Sequence, residues 1–186
     1  MKITDITTTQ LFYPHGKAIQ DATIYDPKPG SDGRGELFVH IQTDEGISGL
    51  GIGQSSPGVR EVIEKTFKEL LIGKDPFNIE ELWDLMFWKI RGYGRKGVAF
   101  CALSAIDIGL WDLKSKALGL PLFKLLGAFR ESVPVYGSGG WTNFSESELL
   151  SEMTSYVEQG IPRVKMKVGK NFGQSEREDI ERLAAV

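Results

Sequence analysis

At 186 residues, 41% of them hydrophobic and 25% charged, the chain is long enough to bury the core of one or two domains. A net charge of −3 argues against a nucleic-acid or membrane-surface partner, and no apolar run reaches the roughly 18 to 20 residues of a membrane span. The lone Cys101 excludes an internal disulfide, and two histidines, His15 and His40, are too few for a His/Cys zinc site or a serine-type triad.

The opening "MKITDITTTQLF" carries no apolar core of the signal-peptide kind, which together with the single thiol leads to the expectation of a cytoplasmic protein. "KITDITTTQLFY" alternates and is rich in β-branched residues, as a half-buried strand should be. "ELFVHIQTDEGISGLGIGQ" reads as a hairpin turning at Asp44-Glu45-Gly46. Between them, residues 15–35 are polar and rich in Gly and Pro; a loop of that length in a compact domain is a functional lid or a disordered segment. Ser56-Pro57 opens a helix over "PGVREVIEKTFKELL", and Asn78 caps "IEELWDLMFWKI". After "RGYGRKG" comes a long apolar helix, "VAFCALSAIDIGLWDLKSKAL", stopped at Gly119, and then a short helical turn ending at Gly127. Residues 1–128 therefore predict an α+β domain, an antiparallel β-meander packed on a helical bundle.

From residue 129 the rhythm changes. "VPVYGSGG" reads as a strand entering a glycine loop, and Ser145 with Glu148 predicts a capping box for "ESELLSEMTSYVEQ". "RVKMKV" is a second strand, and Ser175 with Glu178 predicts a second capping box before "EREDIERLAAV". Strand, helix, strand, helix is the βαβ pattern of a parallel sheet. A closed eight-fold barrel takes about 250 residues, so residues 129–186 read as the truncated start of one.

In "RVKMKVG", a period of two puts Lys165 and Lys167 on one face and Val164, Met166 and Val168 on the other. On spacing alone the pattern fits the solvated face of an edge strand. The other reading is a strand whose apolar face meets helices and whose lysines look into a barrel, where an unpaired ammonium is costly. Lys167 lies two residues before Gly169, toward the strand end where barrel active sites sit. A lysine used as a general base must be neutral part of the time. A second cation about 6 to 7 Å away, with burial, pushes its pKa in that direction.

The run "ALSAIDIGLWDLKSKALGLPLFKLLG" (residues 102–127), followed by "VPVYGSGG" and "RVKMKVG", resembles the mandelate racemase/muconate lactonizing enzyme family of the enolase superfamily. The resemblance covers essentially the whole chain. It implies an N-terminal capping domain over a TIM-like, modified (β/α) barrel. It further implies Lys167 as general base, with Lys165 contacting the substrate carboxylate and lowering the pKa of that base. Ser138 falls where some relatives place a substrate-contacting hydroxyl. The segment from Tyr13 to Gly35 matches the lid loop, with His15 and Tyr25 as substrate-choosing residues.

The implied reaction removes the proton α to a carboxylate with Mg²⁺ neutralising the charge that develops. The carboxylates that hold Mg²⁺ belong to later barrel strands, so no metal ligand is expected in this sequence and the chain alone should be inactive. The expected substrate is a small carboxylate or acid sugar, and the expected assembly a homo-oligomer. Acid-sugar dehydration is the leading activity, with racemisation or epimerisation and cycloisomerisation as alternatives. From another class, a non-catalytic capping or oligomerisation fragment also fits.

Three features read as structural. Asp107, Trp111 and Asp112 belong to the recognisable helix, where an Asp ordinarily finds a partner and a Trp packs in the core. Arg91, Arg95 and Lys96 form a basic surface loop. "GLGIGQ" lacks the third glycine of a dinucleotide fingerprint and sits in a hairpin.

Overall fold

A computed structural model describes residues 1–13, 19–23 and 34–186. These fall into two compact units, residues 1–13 with 34–129 and residues 19–23 with 130–186.

The first unit is the expected α+β arrangement. Strands β1 (Ile3–Tyr13), β2 (Arg34–Thr43) and β3 (Ser48–Gln54) form an antiparallel sheet in chain order. The turn between β2 and β3 is at Gly46, whose φ of 79° favours glycine. Alternation in β2 buries Leu37, Val39 and Ile41. Helix α1 (Val59–Val62) continues through a π-helical turn (Ile63–Phe67) into α2 (Lys68–Leu71). Entry to α1 is at Gly58, with φ 90°, rather than at the Ser56-Pro57 pair read as its start, because the chain needs a left-handed step there.

Helix α3 (Ile79–Lys89) begins after Asn78, whose side-chain amide donates to Glu81 Oε2 at 3.0 Å instead of accepting from the helix backbone. Helix α4 (Val98–Ala117) and the short α5 (Leu122–Leu125) end as expected, at Gly119 and Gly127 with positive φ. Ile6, Ile41, Ile63, Phe67, Leu82 and Met86 are among the fully buried side chains of this core.

Helix α4 lies directly on the backbone of β3. A Cβ at Gly49 would fall 2.0 Å from the Gly109 carbonyl oxygen, and one at Gly51 only 1.9 Å from that of Ala105. The spaced glycines of "SGLGIGQ" therefore serve close strand–helix contact.

The second unit contains the expected parallel strand–helix–strand element. Strand β4 (Gly137–Ser138) pairs in parallel with β5 (Val164–Lys165), and α6 (Glu146–Glu158) makes the crossover. The Ser145–Glu148 capping box forms in full. Two local expectations are corrected. "VPVY" does not join the ladder: Val133, Val135 and Tyr136 are exposed, Pro134 has no N–H, and pairing starts at Gly137. Ser175 precedes α8 (Glu176–Ala185) without capping it. Its Oγ lies 2.7 Å from the Asn171 side-chain amide, and Glu178 is drawn to Lys170, so neither is left for a box. Between β5 and α8, the turn α7 (Lys170–Gly173) holds Asn171 and Phe172 at φ 51° and 56°, both left-handed.

Candidate active site

Two glycines let helix α6 press on β4. A Cβ at Gly137 would meet the Tyr156 ring, and one at Gly139 would meet the Glu152 carboxylate. Ser138, between them, is exposed on the other face. Just past β5, Met166 lies on the helix side, where a Cβ at Gly140 would contact Met166, Leu149 and Met153 together. Alternation then carries Lys165 and Lys167 to the face away from α6.

The parallel ladder runs past the assigned strands. The Gly139 amide donates to the Lys165 carbonyl (3.0 Å), and the Lys167 amide to the Gly140 carbonyl (3.0 Å). Lys167 is thus fixed through its backbone at the C-terminal end of the pair. Its ammonium lies 3.4 Å from Asp21 Oδ2 and 5.3 Å from the centroid of the Trp141 ring. The Lys165 ammonium takes a different aromatic partner, Tyr136, at 5.5 Å from the ring centroid. Lys165 is exposed; Lys167 is half-buried.

Residues 19–23 are laced onto this end. The Gln20 carbonyl accepts from both the amide and the hydroxyl of Thr142 (2.9 Å each), and the Gln20 amide donates to Asn143 Oδ1 (3.1 Å). Asp21 Oδ1 accepts from the amide (2.7 Å) and the hydroxyl (3.0 Å) of Thr23, an Asx turn that aims the other oxygen at Lys167. Glu152 accepts from the Gly140 amide at 2.6 Å. Burial, then the Glu152 charge, pushes the Tyr156 phenol above its ordinary pKa.

Lys165, Lys167 and Ser138 therefore lie on neighbouring parallel strands, with Ser138 in register with Lys165. His15 and Tyr25 lie outside the described residues. Asp21 and Trp141 were not singled out from sequence; the Asp-x-Thr spacing of an Asx turn was the one local signal for Asp21. Among the described residues no three His, Cys, Asp or Glu side chains gather where a metal ion could be held. Among the described residues the donor set does not fit Mg²⁺.

The acidic residues of α4 have structural settings. Asp112 Oδ2 accepts from the Leu50 amide (2.7 Å) on the outer edge of β3 and pairs with Lys116 (2.6 Å). Lys116 in turn donates to the Ser48 carbonyl (3.3 Å). Burial, followed by repulsion from Glu80, holds the Asp107 carboxyl above the ordinary range. Trp111 packs against the buried core. Arg95 lies over the Phe87 and Trp88 rings, at 4.0 and 4.3 Å from their centroids.

Residues 34–127, just over half of the chain, match the family model of the mandelate racemase/muconate lactonizing enzyme N-terminal domain. L-talarate/galactarate dehydratase of Salmonella typhimurium is 38% identical over 154 residues, which are 81% of this chain and 38% of the relative. D-galactarolactone cycloisomerase of Agrobacterium fabrum is 33% identical, over 100% of this chain and 48% of the relative. A solved mandelate racemase/muconate lactonizing enzyme-like protein from Rubrobacter xylanophilus superimposes with a TM-score of 0.88 at 34% identity, covering 100% of this chain and 49% of that one. The Salmonella dehydratase, solved with Mg and L-lyxarohydroxamate, gives 0.85 at 34% identity, covering 100% of this chain and 48% of that one. The chain thus spans less than half the length of these relatives.

Proposed function

Because the chain belongs to the mandelate racemase/muconate lactonizing enzyme family, we propose that the whole protein abstracts the proton α to the carboxylate of an acid sugar and eliminates water. The observation that carries this reading is Lys167. Its backbone is pinned at the C-terminal end of β5, its side chain is on the face away from α6, and its ammonium meets a carboxylate and an aromatic ring. In barrels built from parallel strands, that end is where chemistry happens.

In the proposed reaction the Lys167 amine takes the α-proton with its lone pair, and the C–H electrons move into the carboxylate as an ene-diolate. Lys165, on the same face, binds a carboxylate oxygen and offsets the developing negative charge. Collapse of the ene-diolate expels the β-hydroxyl, which takes up a proton and leaves as water; the enol product then ketonises. Ser138, exposed beside Lys165, offers a hydroxyl to the substrate. The domain division proposed is a capping domain over residues 1–128 and the start of the barrel from 129. Mg²⁺ is proposed for the whole enzyme because solved relatives carry it, with ligands other than the residues described here.

Cycloisomerisation is the second reading, favoured by the match to the Agrobacterium cycloisomerase, which covers 100% of this chain and 48% of the relative. It shares the α-proton step and differs in the leaving group. Screening the whole protein against acid sugars and their lactones, with solvent deuterium as tracer, tests both. Water loss with deuterium uptake at the β-carbon of the keto-acid product supports dehydration, and conversion of lactones alone supports the second reading. Lys167→Ala should abolish α-proton exchange for substrates presented on its face; retained exchange removes Lys167 from the base role.

A further inference from the structure

We propose that Asp179 and Arg182 of helix α8 are positioning residues that hold Lys167 in place from both sides along its backbone. The inference rests on the reading of Lys167 as the base.

The two residues are one helical turn apart and so share a face of α8. Arg182 is the buried residue of that helix, and its guanidinium fans over three consecutive carbonyls: Gly140 (3.3 Å), Trp141 (2.8 Å) and Thr142 (3.3 Å). The Gly140 oxygen is also the acceptor for the Lys167 amide. One carbonyl thus joins the Arg182 side chain to the Lys167 backbone. The middle carbonyl belongs to Trp141, whose ring lies beneath the Lys167 ammonium. Downstream of Lys167, Gly169 takes φ 91° and turns two successive amides the same way. Asp179 accepts both, from Gly169 at 2.8 Å and from Lys170 at 3.2 Å.

The side chain of α8 that goes inside is a charged one. Burying a guanidinium is costly, and here its Nε has no hydrogen-bond partner among the described residues. That cost is spent at the strand ends that carry Trp141 and Lys167, where small displacements of a reacting group matter most. Misplacement by about 1 Å can lower a rate about a hundredfold. The carbonyl dipoles satisfy the cation while the opposite charge of Asp179 holds the amides, so each strand end receives the sign that its backbone groups require.

The test uses the whole enzyme and the rate of α-proton exchange with solvent deuterium. Arg182→Ala should lower kcat about tenfold or more with KM nearly unchanged, and added guanidinium ion should restore part of the loss by refilling the vacated space. Asp179→Asn, which keeps shape and one acceptor oxygen, should give a smaller drop in kcat, again without a change in KM. If Arg182→Ala does not fold, Arg182→Lys, which keeps the charge but not the fan of donors, should show the same kcat-selective loss. Variants that fold less stably yet exchange at the wild-type rate would overturn the proposal, as would losses confined to KM. The control Lys167→Ala separates the two inferences. Exchange retained there defeats the base assignment itself, whereas exchange abolished there but normal in the α8 variants defeats only the positioning role.

Discussion

Asp21 Oδ2 lies 3.4 Å from Lys167 Nζ, and the Asp21 side chain is the more buried of the two, at 11% exposed against 29%. An ammonium held by a carboxylate cannot also accept a proton, so the proposed base must exchange this partner for substrate during turnover. Asp21 also places a negative charge where an anionic substrate would approach. Replacing it with Asn keeps an acceptor for Thr23 and removes the charge. Asp21→Asn in the whole enzyme should lower KM for a carboxylate substrate about two- to fivefold, since a partly exposed ion pair is worth about 0.2–1 kcal/mol. Steady-state kinetics decide it: an unchanged or higher KM would mean that Asp21 assists binding rather than competing with it.

The contact between β3 and α4 leaves no room for a methyl group. Gly51→Ala would drive a Cβ against the Ala105 carbonyl oxygen, so strand and helix must separate. The expected destabilisation is about 1–3 kcal/mol or more, seen as a lower urea midpoint. Gly46→Ala is an instructive contrast. Its Cβ would meet nothing within 4 Å, and only the positive φ opposes it. Gly46→Ala should therefore cost less than Gly51→Ala, and the reverse order would contradict the packing account.

At the β3 edge, Asp112 covers the Leu50 amide and pairs with Lys116. Asp112→Ala removes both contacts and should cost about 1–2 kcal/mol in chemical denaturation. Exchange of the Leu50 amide with solvent should also accelerate. Unaltered exchange at Leu50 would show that this hydrogen bond does not protect the edge.

Asp107 allows a test by pH. Its carboxyl is held above the ordinary range, so the folded state binds this proton more tightly than the unfolded state does. The associated stability is complete below the ordinary aspartate pKa and is lost as pH rises through the raised value. Asn stays neutral throughout. Asp107→Asn should therefore raise the urea midpoint at about pH 7, with the gain vanishing toward about pH 3. A gain that persists in acid would point to packing rather than ionisation.

Much of the fold was legible because its signals are local. The β2–β3 hairpin, the long α4 with its glycine stop, and the Ser145–Glu148 box each depend on neighbours within a few residues. The second box failed although its spacing was right, because Lys170 and Asn171 in the preceding turn engage Glu178 and Ser175. At the candidate site, the two lysines could be found from alternation and resemblance. Asp21 could not be ranked above His15 or Tyr25, since its distinction is an ion pair formed across more than a hundred residues of chain. Arg182 was similarly hidden. In a sequence it is one more charge on a polar helix, and only the three carbonyls about 40 residues upstream make it an anchor.

The two sheets differ in how far the chain must travel to close them, which sets an order of assembly. Strands β2 and β3 meet across the short turn 44–47, so their pairing needs little loop closure. The partners β4 and β5 are separated by residues 139–163, and their ladder is brief, so chain entropy is lost well before hydrogen bonds compensate. In pulsed hydrogen exchange during refolding, the amides of residues 38–52 should gain protection ahead of the Lys167 amide. Simultaneous protection would instead mean that the two sheets form in one cooperative step. On the expected order, the lysine strand is among the last parts of the chain to find its partner, and chemistry waits on the slowest closure.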